Sequence, residues 1–271
     1  MAKKKIGIYG VLESTPNNKV EDLYLIVDDH SISFSVKNIK SNAYVSFEYF
    51  VNDPENYGWS QLVAYLQNNS KLIQNTYNNI HFVMNSTSYI VTKKYKIEDT
   101  LLYKNELSLL HDVTTEEEIQ LTELLNDKML VFAIPDSLNT LLTRLFPTGK
   151  WHHYTEYLVE KNTDGLQVFM FANYLCLVIH EHGKLKLINH FKVGGDDQNT
   201  YTLLSACNNA GIVYNAFSLT IAGLGTEQSH WIKLIEKHFK SITIVLAPSN
   251  GIGIHLNKEY PHHTYAPYFI F

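Results

Sequence analysis

Three short segments hold the acidic, hydroxyl, imidazole and glycine groups from which chemistry could be built: Asp28-Asp29-His30-Ser31, His180-Glu181-His182-Gly183 and Ala222-Gly223-Leu224-Gly225-Thr226. Glu181 has the charge to hold a hydrated Mg²⁺ beside a phosphate, although a carboxylate in a strand turn is ordinarily just solvated. His180 and His182 alternate along a strand pattern and so point to one side, as two zinc ligands would. Their place at a turn weakens that reading, and no Cys-x-x-Cys or His-Glu-x-x-His accompanies them. In the adjacent pairs His152-His153 and His262-His263 neighbouring side chains diverge, so each pair offers one good ligand at most. No metal site is assigned. Gly223 and Gly225 after a strand fit either a plain turn or a close backbone approach to a ligand. Ser249-Asn250-Gly251-Ile252-Gly253 lacks the Lys-Ser/Thr of a phosphate-binding P-loop and reads as a turn. A Gly-x-Ser-x-Gly nucleophile elbow is absent, and Cys176 and Cys207 sit in apolar patterns as buried free thiols. No catalytic residue is assigned.

The elements that carry these segments follow from hydrophobic period. Asp22–Asp28 is a short apolar run, and Ile32, Phe34 and Val36 then alternate with serines, which predicts two strands joined by a tight turn. Residues 43–51 add a third strand. Helical spacing begins at Trp59 with Leu62, Val63 and Leu66, strands return at 80–84 and 89–91, and a helix is expected over 100–111. Thr114 with Glu117 makes a capping box for an acidic helix through Leu125. A strand at 129–134 and helices over 136–146 and 153–161 close the first half. The second half repeats the order: strands at 167–172, 174–180 and 185–193, then a helix capped by Asp196 or Asp197 and ended by Gly211. A strand at 217–222, a helix over 227–239 and a strand at 242–246 complete it. Two domains are expected, 1–150 and 151–271.

The chain has 271 residues, of which 45% are hydrophobic and 18% charged, enough apolar material for a large core without staples. Its formal net charge of -5 argues against a broad phosphate-neutralising surface, so no nucleic-acid partner is expected. Two cysteines build neither a disulfide scaffold nor a thiolate cage. No apolar run reaches transmembrane length, and Lys3-Lys4-Lys5 reads as a solubilising N-terminal tail, so a cytoplasmic protein without membrane insertion is expected. The aromatic end, Tyr260 to Phe271, is expected to pack on its own domain.

A doubled βββαβαβα order resembles the actin, sugar-kinase and Hsp70 ATPase superfamily, which is ribonuclease H-like: mixed sheets flanked by helices. The whole length is similar to an uncharacterised bacterial family, a domain of unknown function, given that actin-like ATPase fold. The likeness rests on Leu23 to Val36 in the first half, and on Tyr174 to Val178, Leu185 to Phe191, Asp197 and Tyr201 to Leu204 in the second. The chain is also similar to the actin-fold scaffold of type IV pilus assembly, which implies partner binding as an alternative to nucleotide handling.

The superfamily's first hairpin carries Asp-x-Gly-Ser/Thr around the phosphates and a hydrated metal. Asp28 and Ser31 match it, while His30 stands where the glycine would and brings a Cβ and ring into the backbone's approach to a phosphate. The second half would supply another Asp-x-Gly turn; here Glu181 stands in for the acid, with Gly223 and Gly225 on the adenosine side. The resemblance therefore implies a pseudo-ATPase, with no cofactor predicted though ATP and Mg²⁺ are possible, acting through an unknown protein partner. The alternative is an active ATPase or phosphotransferase in which Asp28, Ser31, Glu181 and Gly223 form a variant site.

Overall fold

The computed structural model describes residues 2–9, 20–29, 31–51, 58–95, 100–124, 127–160, 164–223, 229–247 and 264–271. The chain divides into two compact units, Met1–Glu160 and Lys161–Phe271. The division falls later than the expected 150/151 because Lys150–His153 is still a strand of the first sheet.

In the first unit the predicted meander is β2 (Glu21–Asp28), β3 (Ser31–Asn38) and β4 (Ala43–Val51), joined antiparallel. α1 (Trp59–Asn69) buries Leu62, Val63 and Leu66, the three positions its period marked. It returns the chain to β5 (Ile80–Met84), parallel to β2. The basic N-terminus corrects the tail reading. Lys3–Tyr9 is an edge strand, β1, paired antiparallel with β4. Buried Ile6 and Ile8 give it a period-2 face. Lys4 is no solubilising group: its ammonium and the Tyr9 hydroxyl both donate to Glu48, a fully buried carboxylate that also accepts from the Ser70 hydroxyl and the Lys71 amide.

A second correction concerns Thr114 and Glu117. The Thr114 amide and hydroxyl donate to the Glu117 carboxylate at 2.8 and 3.2 Å, so the carboxylate's half of the box forms. No helix follows. Glu117–Leu124 is β7, paired along its length with β8 (Lys128–Pro135), which also pairs with β6 (Tyr89–Lys93). Ile119 and Leu121 alternate, and that period-2 face packs with Met129, Val131 and Ala133 against Tyr103 and Leu107 of α2 (Thr100–Leu110). Cross-strand pairing outweighs a local cap worth about 1 kcal/mol. This small sheet and α2 form a module between β5 and the next helix, α3 (Asp136–Leu145). β9 (Lys150–His153) then pairs parallel with β5, and α4 (Tyr154–Glu160) follows.

The second unit has β10 (Gly165–Met170), β11 (Tyr174–Glu181) and β12 (Lys184–Lys192) as its meander, then α5 (Asp196–Asn209), β13 (Ser218–Ala222), α6 (Ser229–Ile235) and β14 (Ser241–Ile244). Its sheet order is β12-β11-β10-β13-β14, and the first sheet reads β1-β4-β3-β2-β5-β9. Without β1 the two orders match strand for strand, with the same parallel pairs among the third, fourth and fifth places. The duplication is one of topology: the first unit adds β1 and the β6–β8 module, whereas β13 leads to α6 through residues 223–228. α5 starts at Gly195 without a side-chain cap; neither Asp196 nor Asp197 caps it, and the Asn199 amide closes the entry by bonding both the N–H and the carbonyl of Gly194. Gly211, at φ +72°, ends it as expected. The core of this unit gathers Leu166, Leu177, Leu203, Cys207, Ile221 and Trp231. Both cysteines are buried free thiols, and burial pushes Cys207 up to about 11 and Cys176 further.

Candidate functional site

In an open α/β sheet, ligands meet the chain at the carboxyl ends of its parallel strands. In the first unit these ends belong to β2, β5 and β9. Asp28 closes β2 and Ser31 opens β3 directly opposite it. The Ser31 hydroxyl donates to Asp28 Oδ2 at 2.7 Å, and each residue is 2% exposed. The structure thus brings together the expected Asp/Ser pair. His30 lies outside the described residues.

Past β5, the Asn85 amide donates to the Val27 carbonyl at 2.8 Å, which holds the Asn85-Ser86 segment beside the end of β2. His153, at the end of β9, caps α4: its Nδ1 accepts from the Thr155 amide at 3.2 Å, and its own amide donates to Glu156 Oε1 at 2.8 Å. Accepting at Nδ1 leaves the proton on Nε2, which points to the Ser86 carbonyl at 3.3 Å. Ser86 and Thr155 are buried, and among the described residues their hydroxyls have no hydrogen-bond partner.

A second polar chain runs from β7 of the small sheet through α4 to β9 and β5. The Thr122 hydroxyl donates to Glu156 Oε1 at 3.0 Å, Glu156 Oε2 meets His152 Nδ1 at 2.9 Å, and His152 Nε2 meets His81 Nδ1 at 3.2 Å. Tyr24 lies parallel on the His81 ring, centroids 4.7 Å apart. Burial, helped by neighbouring His152, lowers His81 to about 4, so its imidazole is neutral near pH 7. Sequence reasoning passed over this chain because adjacent histidines diverge. The Glu four residues after His152 was the available signal, and the β5–β9 register supplies His81.

The second unit departs from expectation. The partner of the Asp28–Ser31 hairpin is the turn joining β10 to β11, since β10 holds in its sheet the place β2 holds in the other. There the Phe171 amide donates to the Tyr174 carbonyl at 2.8 Å across Ala172-Asn173. Phe171 therefore stands where Asp28 stands and Tyr174 where Ser31 does, with no acid and no glycine between them. Glu181 sits at the β11–β12 turn, the other end of the sheet. It pairs with Lys186 at 3.3 Å, while His182 and Gly183 make the turn at φ 52° and 67°. His180 is buried in the strand, and burial lowers its pKa; His182 is exposed in the turn, so the two form no ligand pair. Among the described residues no group of three or more His, Cys, Asp or Glu is placed to hold a metal.

Gly223 follows the carboxyl end of β13, level with Met170 of β10 and separated from Glu181 by about 20 Å of strand. Its φ is +87°, and a Cβ there would stand 2.0 Å from the Met170 carbonyl oxygen and 2.7 Å from Pro267 Cγ. Pro267 belongs to the tail, whose turn Ala266–Phe269 is buried on this unit, as expected for the part of it described. Tyr268 meets Phe171 edge-on, centroids 5.7 Å apart at 87°. An apolar cap thus covers the strand ends at which a second phosphate turn would stand. Gly225, the 249–253 loop and His262-His263 lie outside the described residues.

A family model described as a protein of unknown function, DUF3822, matches residues 13–242. The chain belongs to this family. A solved Bacteroides thetaiotaomicron protein, described as having an actin-like ATPase fold and unknown function, superposes with TM-score 0.76 at 17% identity, over 91% of this chain and 98% of that one. That likeness fixes the fold as actin-like, with the duplicated domains the two sheets display. The ethanolamine utilization protein EutJ from Carboxydothermus hydrogenoformans is similar at TM-score 0.49 and 6% identity, covering 94% and 90% of the two chains. AlfA from a Bacillus subtilis plasmid, solved as a filament, is similar at TM-score 0.42 and 8% identity, covering 91% and 96%. Comparison with curated proteins finds no match. Among the described residues of this family member, no helix is long and apolar enough to cross a membrane.

Proposed function

We propose that this family member is a pseudo-ATPase: an actin-fold protein that does not turn over nucleotide and works through contacts with another protein. The observation that carries the reading is the apolar cap at the end of β10, where Phe171 replaces the acid and Tyr268 and Pro267 pack over it and Gly223. By the resemblance drawn above, an actin-type site takes one phosphate turn from each half. A phenyl ring and a proline offer neither a donor for phosphate oxygens nor a ligand for Mg²⁺. Glu181 cannot replace the missing acid from the far end of the sheet. Isothermal titration with ATP and Mg²⁺, paired with a phosphate-release assay, tests the reading. It fails if the protein binds at micromolar affinity and the turnover disappears in Asp28→Ala.

One observation favours the alternative of an active ATPase or phosphotransferase. The first unit keeps Asp28 and Ser31 together and gathers the buried hydroxyls of Ser86 and Thr155 at the neighbouring strand ends. Such a set suits one phosphate group held from one side. The same pair of assays distinguishes the readings, since weak binding without turnover is what a single surviving half-site supplies.

A further inference from the structure

We propose that the open edge of β12, with the groove between it and α5, binds an extended, acidic and apolar segment of a partner protein by strand addition. The inference rests on the protein-contact reading above and gives that reading a surface. β12 is the last strand of its sheet, so the backbone groups of Ile188, His190 and Lys192 face outward, the His190 N–H already meeting Asn189 Oδ1 at 2.9 Å. A groove of about 490 Å³ runs beside it, with Leu187 and Phe191 on its strand wall and Tyr201, Ser205 and Ala210 on its helix wall. Tyr201, Ser205 and Asn209 recur at i, i+4 and i+8, which sets one face of α5 along the strand. Tyr201 is 74% exposed, an amphipathic side chain of the kind that anchors interfaces.

Charge selects the occupant. β12 carries Lys184, Lys186 and Lys192 and no acid, on a chain whose net charge is -5; among the described residues Lys186 pairs with Glu181, and the exposed Asp197 stands one turn before Tyr201 on α5. A bulge sets Lys186 out of register, so the regular edge runs from Leu187 to Lys192. Lysines on an edge repel indiscriminate pairing. Against an acidic strand they attract instead, and the alternate apolar side chains of that strand enter the groove, the usual division of labour in strand addition. A second copy would bring the same lysines to the seam, and β12 has no acid to answer them.

The test uses the full chain and two fluorescein-labelled peptides of about ten residues, one alternating valine with glutamate, the other valine with lysine. Anisotropy should show saturable binding of the glutamate peptide, weakened about tenfold or more by Tyr201→Glu and by high salt, and far weaker binding of the lysine peptide. Amide exchange should slow at Ile188 and Lys192, whose N–H groups face away from β11. Tyr201 is exposed, so its replacement leaves the fold intact, as circular dichroism checks. No saturable binding, equal binding of both peptides, or full binding to Tyr201→Glu overturns the proposal. Self-association of the free protein that Tyr201→Glu abolishes assigns the groove to a second copy and also overturns it. ATP turnover would refute the pseudo-ATPase reading while leaving the peptide result to stand or fall by itself.

Discussion

Replacing Gly223 with alanine separates a packing glycine from a nucleotide-turn glycine. At φ +87° an alanine sits in the left-handed region, at a cost of about 1–2 kcal/mol. The new methyl would stand 2.0 Å from the Met170 carbonyl, a backbone atom that cannot turn aside, and forcing such a contact costs about 1–3 kcal/mol more. The stiffer unfolded chain returns somewhat under 1 kcal/mol. A net loss of about 2–4 kcal/mol follows. Urea unfolding should show it as a lower midpoint at unchanged slope. Adding Pro267→Ala should restore only a minor part, because it clears the 2.7 Å contact with the tail and leaves the Met170 oxygen in place. A loss under about 1 kcal/mol, or full rescue by Pro267→Ala, would refute the packing argument. So would a Gly223→Ala protein of normal stability that had lost ATP binding.

Further expectations follow from the buried polar groups. Glu48→Ala removes the carboxylate that the Lys4 ammonium, the Tyr9 and Ser70 hydroxyls and the Lys71 amide all use, and should cost about 3 kcal/mol in urea unfolding; a loss under 1 contradicts it. Burial lowers His190 to about 3, below its ordinary 6.5, so the unfolded chain binds the extra proton between those values. Its contribution is complete above pH 6.5 and drains away as pH falls toward 3; His190→Leu should therefore lose less stability than the native chain over that window, and parallel acid titrations would refute this. Cys176 and Cys207 are buried thiols held protonated, so a disulfide-exchange dye should label them only in denaturant. Rapid labelling of the folded protein would contradict that burial.

The duplicated topology was legible because both meanders carry clear alternation, as in Ile32, Phe34 and Val36, and both are followed by helical spacing. β7 was not, because Thr114 and Glu117 make the amide-to-carboxylate contact of a capping box and only pairing with β8 reveals that Ile119 and Leu121 keep a strand period. β1 was hidden behind its lysines: charge suggested solvent, and the buried partner Glu48 is distant in sequence. In the site, Asp28 and Ser31 were readable because they lie three residues apart across one turn. The second turn was misplaced because the local signal, an acid near a glycine, occurs at Glu181 and Gly183. Which hairpin matches the first is a property of sheet order, and Phe171-Ala172-Asn173-Tyr174 has no residue that announces it. The His81, His152 and Glu156 chain likewise depends on parallel register that no local spacing encodes.

Titration of the intact protein with ATP and Mg²⁺, read beside phosphate release, bears most directly on the apolar cap at Phe171. Affinity no tighter than about 1 mM and no release above the buffer rate are predicted, since one of the two phosphate turns is missing. A micromolar dissociation constant, with turnover that Asp28→Ala removes, would contradict the account.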